Sequence, residues 1–154
     1  MHSRIIQISS KPIAKEDYIT EDNISECDFN YYGMDYVCST DDDAVERLSQ
    51  CGLPKGFTLD KKERSLSYDG SLECIKDFKN KVKEAVDKFL EGDLVDGYNV
   101  WLVKNLLNEG FGPSFLYHWE DYIGGIAQSS RFFLDMINDG PKKVYIGGCL
   151  DYHF

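Results

Sequence analysis

No stretch of the chain holds the roughly eighteen consecutive apolar residues that a membrane-spanning helix requires. The opening Met1-His2-Ser3-Arg4-Ile5-Ile6-Gln7-Ile8 turns polar too early to form the apolar segment of a secretion signal. Both absences predict a cytoplasmic chain that avoids membranes. Cysteine is sparse: Cys27, Cys38, Cys51, Cys74 and Cys149 are odd in number and irregular in spacing, with no Cys-x-x-Cys pair. Such a set builds no disulfide framework, and reduced, mostly buried thiols are the simplest account. The glycine pairs Gly124-Gly125 and Gly147-Gly148 lack the Gly-x-Gly-x-x-Gly and Gly-Lys-Ser/Thr spacings of phosphate loops. Close backbone packing or a bulge explains them better.

Histidine is scarcer still: His2, His118 and His153. Nucleophilic catalysis needs a base beside a Ser or Cys, and only His118 lies well inside the chain. Its surroundings, Tyr117-His118-Trp119-Glu120-Asp121-Tyr122, read as helix. Helical spacing then puts Ser114 and Tyr122 on its face and turns Glu120 and Asp121 away. A catalytic His118 needs a partner from elsewhere in the fold; the alternative is a partly buried histidine bonded to a neighbour. Cys149 and His153 have a Cys-x-x-x-His spacing, but the second half of a zinc pattern is missing. No metal and no cofactor is expected.

What the chain does have is aromatic mass and one block of negative charge. Ten Tyr and nine Phe in 154 residues, with 42% apolar composition, predict a folded domain with a sizeable core. Of 27 acidic residues, eleven lie between Glu16 and Glu46, where no lysine or arginine occurs. The remainder holds 16 acids against 17 bases, so this block accounts for the whole net charge of −10.

The apolar pattern predicts an α+β fold: a small, mainly antiparallel sheet packed with three to four helices. Ser3–Ile8 reads as a strand, and residues 11–39 as a long loop with a short strand at Tyr36-Val37-Cys38. A helix over Ala44–Cys51 follows, with Thr40 as its cap and acids in its first turn. Phe57–Leu59 and Ser65–Tyr68 flank a polar turn and predict a central hairpin. Leu72–Glu91 is an amphipathic helix capped by Ser71 and ended by Gly92, with surface pairs Asp77–Lys81 and Glu84–Lys88. From Asp96 or Gly97 to Gly110 a helix apolar nearly all round is expected to lie deep. A third helical region runs from Gly112-Pro113-Ser114 to Gly140-Pro141, and Val144–Tyr152 closes the chain as a strand bulged at Gly147-Gly148. The first and last strands are expected to be neighbours in one domain spanning residues 1–154.

These features favour a non-enzymatic interaction module, inhibitor- or immunity-like, over catalysis. The expected contact residues are Asp17, Tyr18, Glu21, Asp22, Glu26, Asp28, Tyr31, Tyr32, Asp35 and Tyr36, acids interleaved with aromatics that suit a basic protein surface. The plain alternative is a solvated loop, or one folded over Lys76, Lys79 and Lys83. Those three lysines are the only basic patch, so direct nucleic-acid binding is not expected. A small enzyme built around His118 is the second hypothesis. A divalent cation in the acidic loop is the third, weakened by the missing Asp-x-Asp-x-Asp-Gly pattern.

Overall fold

The computed structural model describes residues 2–24, 36–91, 97–109, 111–113, 115–119, 126–140 and 142–153. Among them an α+β fold is built on a seven-stranded sheet. Strand β1 (His2–Ser9) lies at the centre, because its β-branched run Ile5, Ile6 and Ile8 suits a strand buried on both faces. It pairs antiparallel with β7 (Lys143–His153) on one side and parallel with β5 (Leu116–Trp119) on the other. The first and last strands are therefore neighbours, as expected. The free edge of β7 takes two short strands end to end. Strand β4 (Ser65–Tyr68) pairs with its first half and β2 (Tyr36–Ser39) with its second. Strand β3 (Phe57–Asp60) joins β4 in the predicted hairpin, and β6 (Ile126–Gln128) joins β5.

One face of the sheet carries the larger core. Helix α1 (Ala44–Gln50) contributes Ala44, Val45 and Leu48, and α4 (Ser129–Asn138) contributes Phe132, Phe133 and Met136. Helix α2 (Glu73–Leu90) adds Cys74, Ile75 and Phe78. Phe133 stands edge-on to Phe57 and Phe115, with ring centres 5.0 and 6.1 Å apart. The opposite face holds a smaller cluster of Ile5, Leu116, Ile126, Leu150 and Tyr152, and Ile19 and Ile24 close over it. The first part of the acidic segment, residues 16–24, thus covers this second face, with Ile19 and Ile24 as its apolar anchors.

The bulge at Gly147-Gly148 is present: Ile6 pairs with Cys149 but Ile8 pairs with Ile146, so two residues of β7 oppose Gln7 alone. The extra residue reverses the in–out alternation along β7. Val144 and Ile146 face the helices before it and Cys149 does so after it. An unbulged strand would send one of these sets to the wrong face.

Several local expectations change. The helical region predicted from residue 112 onward is helix only as α4; Leu116–Trp119 and Ile126–Gln128 are strands. A four-residue apolar run has no decisive period, and pairing on both edges with β1 and β6 settles its conformation. His118 consequently sits on a strand, not a helix. The cap of α1 is Asp43, whose Oδ1 accepts from the amides of Val45 and Glu46 at 2.9 and 3.0 Å, while Thr40 Oγ1 accepts from Asp42 N. The cap position of α2 is Leu72 rather than Ser71 and carries no side-chain capping bond, although Ser71 Oγ accepts from Glu73 N at 3.3 Å. Among the described residues the ion pairs of α2 are Lys83–Asp87, Lys55–Asp77 and a longer Lys55–Glu73 contact rather than Asp77–Lys81 and Glu84–Lys88, because the Lys55 ammonium reaches Asp77 at 2.9 Å from the loop before β3. Helix α3 (Gly97–Glu109) does not lie deep: it packs chiefly on α2, and Tyr98, Val100, Trp101 and Leu107 are exposed. Gly92, Gly110, Ser114, Tyr122, Gly124-Gly125 and Pro141 lie outside the described residues.

Candidate functional site: the acidic cover

Gln7 holds the cover to the sheet. It is fully buried, and its amide makes three links: Nε2 donates to the carbonyl of Asp17, and Oε1 accepts from the amides of Ile19 and Gly148, each at 2.9 Å. Gly147 makes room for this side chain, since a Cβ there would lie 2.1 Å from Oε1. A Cβ on Gly148 would approach Tyr18 Cβ to 3.0 Å. The glycine pair and the glutamine form one device: the bulge opens the space, the glutamine fills it, and the segment docks through its backbone. Tyr18 adds a second tie, with the Arg64 guanidinium over its ring at 5.3 Å.

Anchoring leaves the acids in two groups. At the start of α1 they are neutralised internally. Asp42 takes Arg4 and Arg47, with Arg4 Nε at 2.7 Å and Arg47 Nη2 at 2.9 Å, and Arg4 also reaches Asp151 at 2.8 Å. Asp43 takes Arg64 at 2.5 Å and Glu46 takes Lys61 at 2.8 Å. Arg64 further donates to the carbonyls of Ile146 and Gly147, tying the network to the bulge. Glu21 accepts from Ser39 N at 3.1 Å and so fastens the cover to β2. The segment therefore draws its internal cations from β1, α1 and the hairpin turn, not from Lys76, Lys79 and Lys83.

The second group, Glu16, Asp17, Asp22 and Asp41, is exposed, with no side-chain ion pair among the described residues. Glu16 and Asp17 come from a 3-10 turn (Lys15–Asp17) and line an open groove of about 590 Å³ with Ser9, Pro12, Ile13, Tyr18 and Thr20. The expected contact set thus divides: Asp17 and Asp22 are exposed with no ion pair among the described residues, whereas Tyr18 and Glu21 have internal tasks. Tyr36 is exposed, and its ring stacks on His153 at 5.5 Å. Glu26, Asp28, Tyr31, Tyr32 and Asp35 lie outside the described residues. Glu16 and Asp41 were absent from the expected set; the absence of a basic residue from Glu16 to Glu46 was the signal that could have included them.

The groups considered for catalysis are placed differently. His118 is half-buried beside Gln7 in the β1–β5 register, on the covered face with Leu116. Cys149 Sγ donates to the carbonyl of Asp42 at 3.0 Å, and burial pushes this thiol up to about 11, so it is protonated at neutral pH. Burial also raises the thiols of Cys51 and Cys74. Cys149 and His153 are four residues apart on one strand, about 13 Å along its axis, too far to share a metal ion. Among the described residues no group of three or more His, Cys, Asp or Glu is placed to hold a metal ion, and no helix is long and apolar enough to cross a membrane.

The ion-pair network gives stability a defined pH dependence. The hydrogen bond from Arg4 holds the Asp42 carboxyl below its ordinary value. Burial pushes Asp43 up, but bonds from Arg64 and from the amides of Glu46 and Val45 outweigh it, and this carboxyl too is lowered. A carboxylate depressed in the folded state stabilises above its unfolded value, and that contribution is lost as pH falls through the folded one. The urea midpoint should therefore fall as pH drops below about 4. Asp42→Asn with Asp43→Asn should flatten that fall; partial exposure limits the difference to about 1 kcal/mol. Parallel curves for the two proteins would show that these carboxylates do not carry the effect.

The chain matches no known protein family, no curated protein and no solved structure.

Proposed function

We propose that the chain is a non-enzymatic protein-interaction module, inhibitor- or immunity-like, that engages a basic protein surface in the cytoplasm through its acidic cover. The observation that carries this reading is the division of the acids. Asp42, Asp43 and Glu46 are neutralised by internal cations, while Glu16, Asp17, Asp22 and Asp41 project from an anchored backbone with no internal counter-charge among the described residues. Fixed like charges next to a groove raise the local potential and speed encounter with a surface of opposite sign. The Cys149 thiol, protonated and bonded to the carbonyl of Asp42, is no ready nucleophile.

Capture from native lysate at low and at moderate salt tests the proposal, with wild type and the triple variant Glu16→Lys, Asp17→Lys, Asp22→Lys as baits. The expected outcome is a basic polypeptide retained by wild type, weakened by salt and lost from the variant. These positions are exposed and in no ion pair among the described residues, so far-UV circular dichroism should be unchanged. Retention of the same polypeptide by the variant, or capture of nothing by either bait, would reject the acidic face as the site.

A further inference from the structure

On the side of the larger core, away from the acidic cover, a cleft of about 300 Å³ opens between three stretches of the chain. They are the loop that leaves α1 (residues 51–55), the first half of α2 and the loop 111–113. The floor is apolar, formed by Leu53, Cys74, Phe78 and Phe111, with the two rings perpendicular and their centres 5.4 Å apart. The loops touch each other where a Cβ on Gly112 would lie 3.2 Å from Pro54 Cγ, so the cleft is formed before anything enters it. Its charged groups are Lys55, Asp77 and Lys81. Asp77 and Lys81 stand one turn apart on α2, and Lys55 reaches Asp77 from the loop at 2.9 Å. That pairing leaves Lys81 with no ion pair among the described residues.

We infer that this cleft binds a small monoanionic carboxylate bearing one aromatic ring, with the ring on the apolar floor and the carboxylate on the Lys81 ammonium. Charge selects the sign. Lys55 and Asp77 cancel, so the cleft carries one net positive charge in a chain whose net charge is −10. A monoanion matches that single ammonium. A dianion such as phosphate would set a second negative charge beside Asp77, and a cation would find Asp77 already held by Lys55. Volume selects the size. The cleft lies at the lower end for small-molecule sites and equals the liquid volume of about ten water molecules, which suits a single ring with a short acid arm. The floor selects the ring, since Phe78 and Phe111 offer aromatic surface to stack on or meet edge-on. Walls held by packing in the free protein spare the ligand the cost of ordering them. None of these groups belongs to the acidic cover, so the site stands independently of the partner surface proposed above.

Titration of the isotope-labelled chain with phenylacetate to about 20 mM, followed by amide NMR, tests the inference, since a ligand of this size reaches a dissociation constant on the order of 1 mM. Saturable shifts should centre on the amides of Leu53, Phe78, Lys81 and Phe111. Lys81→Glu should weaken binding about tenfold and Lys81→Arg should retain it, as a charge-assisted hydrogen bond requires. Lys79→Glu, an exposed position outside the cleft, should leave it unchanged. Phenylacetamide and inorganic phosphate should each bind wild type about tenfold more weakly than phenylacetate, a comparison that needs no variant. The lysine substitutions at Glu16, Asp17 and Asp22 should not alter phenylacetate binding, so failure here is distinct from failure of the acidic-face reading. The absence of saturable shifts overturns the inference, as do shifts centred on another surface. Equal binding of the amide, or indifference to Lys81→Glu, overturns it as well.

Discussion

Gln7→Leu should lower the free energy of unfolding by about 3–5 kcal/mol, more than the loss of any surface ion pair in this chain. The substitution keeps the buried volume but removes both ends of the amide. Ile19 N and Gly148 N lose their acceptor, and the carbonyl of Asp17 loses its donor. A buried polar group left without its partner costs about 1–3 kcal/mol. The backbone of the cover cannot reach an alternative, because Ile19 is itself buried against Ile5 and Leu116. The midpoint of urea unfolding measures the loss, and hydrogen exchange at Ile19 localises it. Gly147→Ala supplies a further check. In wild type its new methyl would lie 2.1 Å from the Gln7 amide oxygen and 2.9 Å from Ile13 Cδ1, whereas a Gln7→Ala background removes the closer clash and leaves only the flexible end of Ile13 to give way. The second substitution should then cost less by more than about 1 kcal/mol, the non-additivity expected of groups in contact. An additive pair, or an unchanged midpoint for Gln7→Leu, would refute the idea that this glutamine fastens the acidic cover.

Phe133→Ala is expected to have a comparable effect, about 3–5 kcal/mol, for a different reason. The ring is wholly buried and meets Phe57 and Phe115 edge-on, at interplanar angles of 86° and 83°. Its flank lies against Gly112, where a Cβ would come within 2.8 Å of Cδ2. Gly112 has φ of +83°, so the loop there depends on a residue that tolerates the left-handed region. The hairpin, the 111–113 loop and Phe115 at the entry to β5 thus converge on one side chain, and none can collapse into the cavity without losing contact with the others. Differential scanning calorimetry should record a fall of about 10 °C for a chain of this length. Phe133→Leu, which leaves most of the volume in place, should cost less than half as much. Equal effects of the two substitutions would mean that the site relaxes freely and that edge-on ring packing is not what holds it.

How much of this was legible in the sequence differs from element to element. The helix over Glu73–Leu90, the hairpin at Phe57–Tyr68 and the terminal strands were legible because each carries its own period, turn or breaker. The glycine bulge was legible too, since a glycine pair inside a strand has few other uses. Leu116–Trp119 was not, because four apolar and aromatic residues fit a helix or a strand equally and only pairing with β1 decides between them. The depth of α3 is not legible, because an apolar sequence does not by itself fix which side of a helix the rest of the fold covers. Gln7 passed unremarked inside Ile5-Ile6-Gln7-Ile8, where one polar residue in a strand ordinarily marks a solvent-facing position.

The acidic block shows the same division. Sequence alone determined that residues 16–46 hold eleven acids and no base, since composition needs no fold. It also pointed to an α+β fold with a strand from each end of the chain, since periodicity and breakers act locally; that these two strands pair is a matter of tertiary structure. Only the tertiary structure decided which acids are satisfied inside and which remain outside. The counter-ions of Asp42 and Asp43 are Arg4 and Arg64, separated from them by 38 and 21 residues, and an ion pair depends on distance in space. The anchor of the segment is a side-chain amide placed by a bulge at the far end of the chain, and no local pattern could have joined the two.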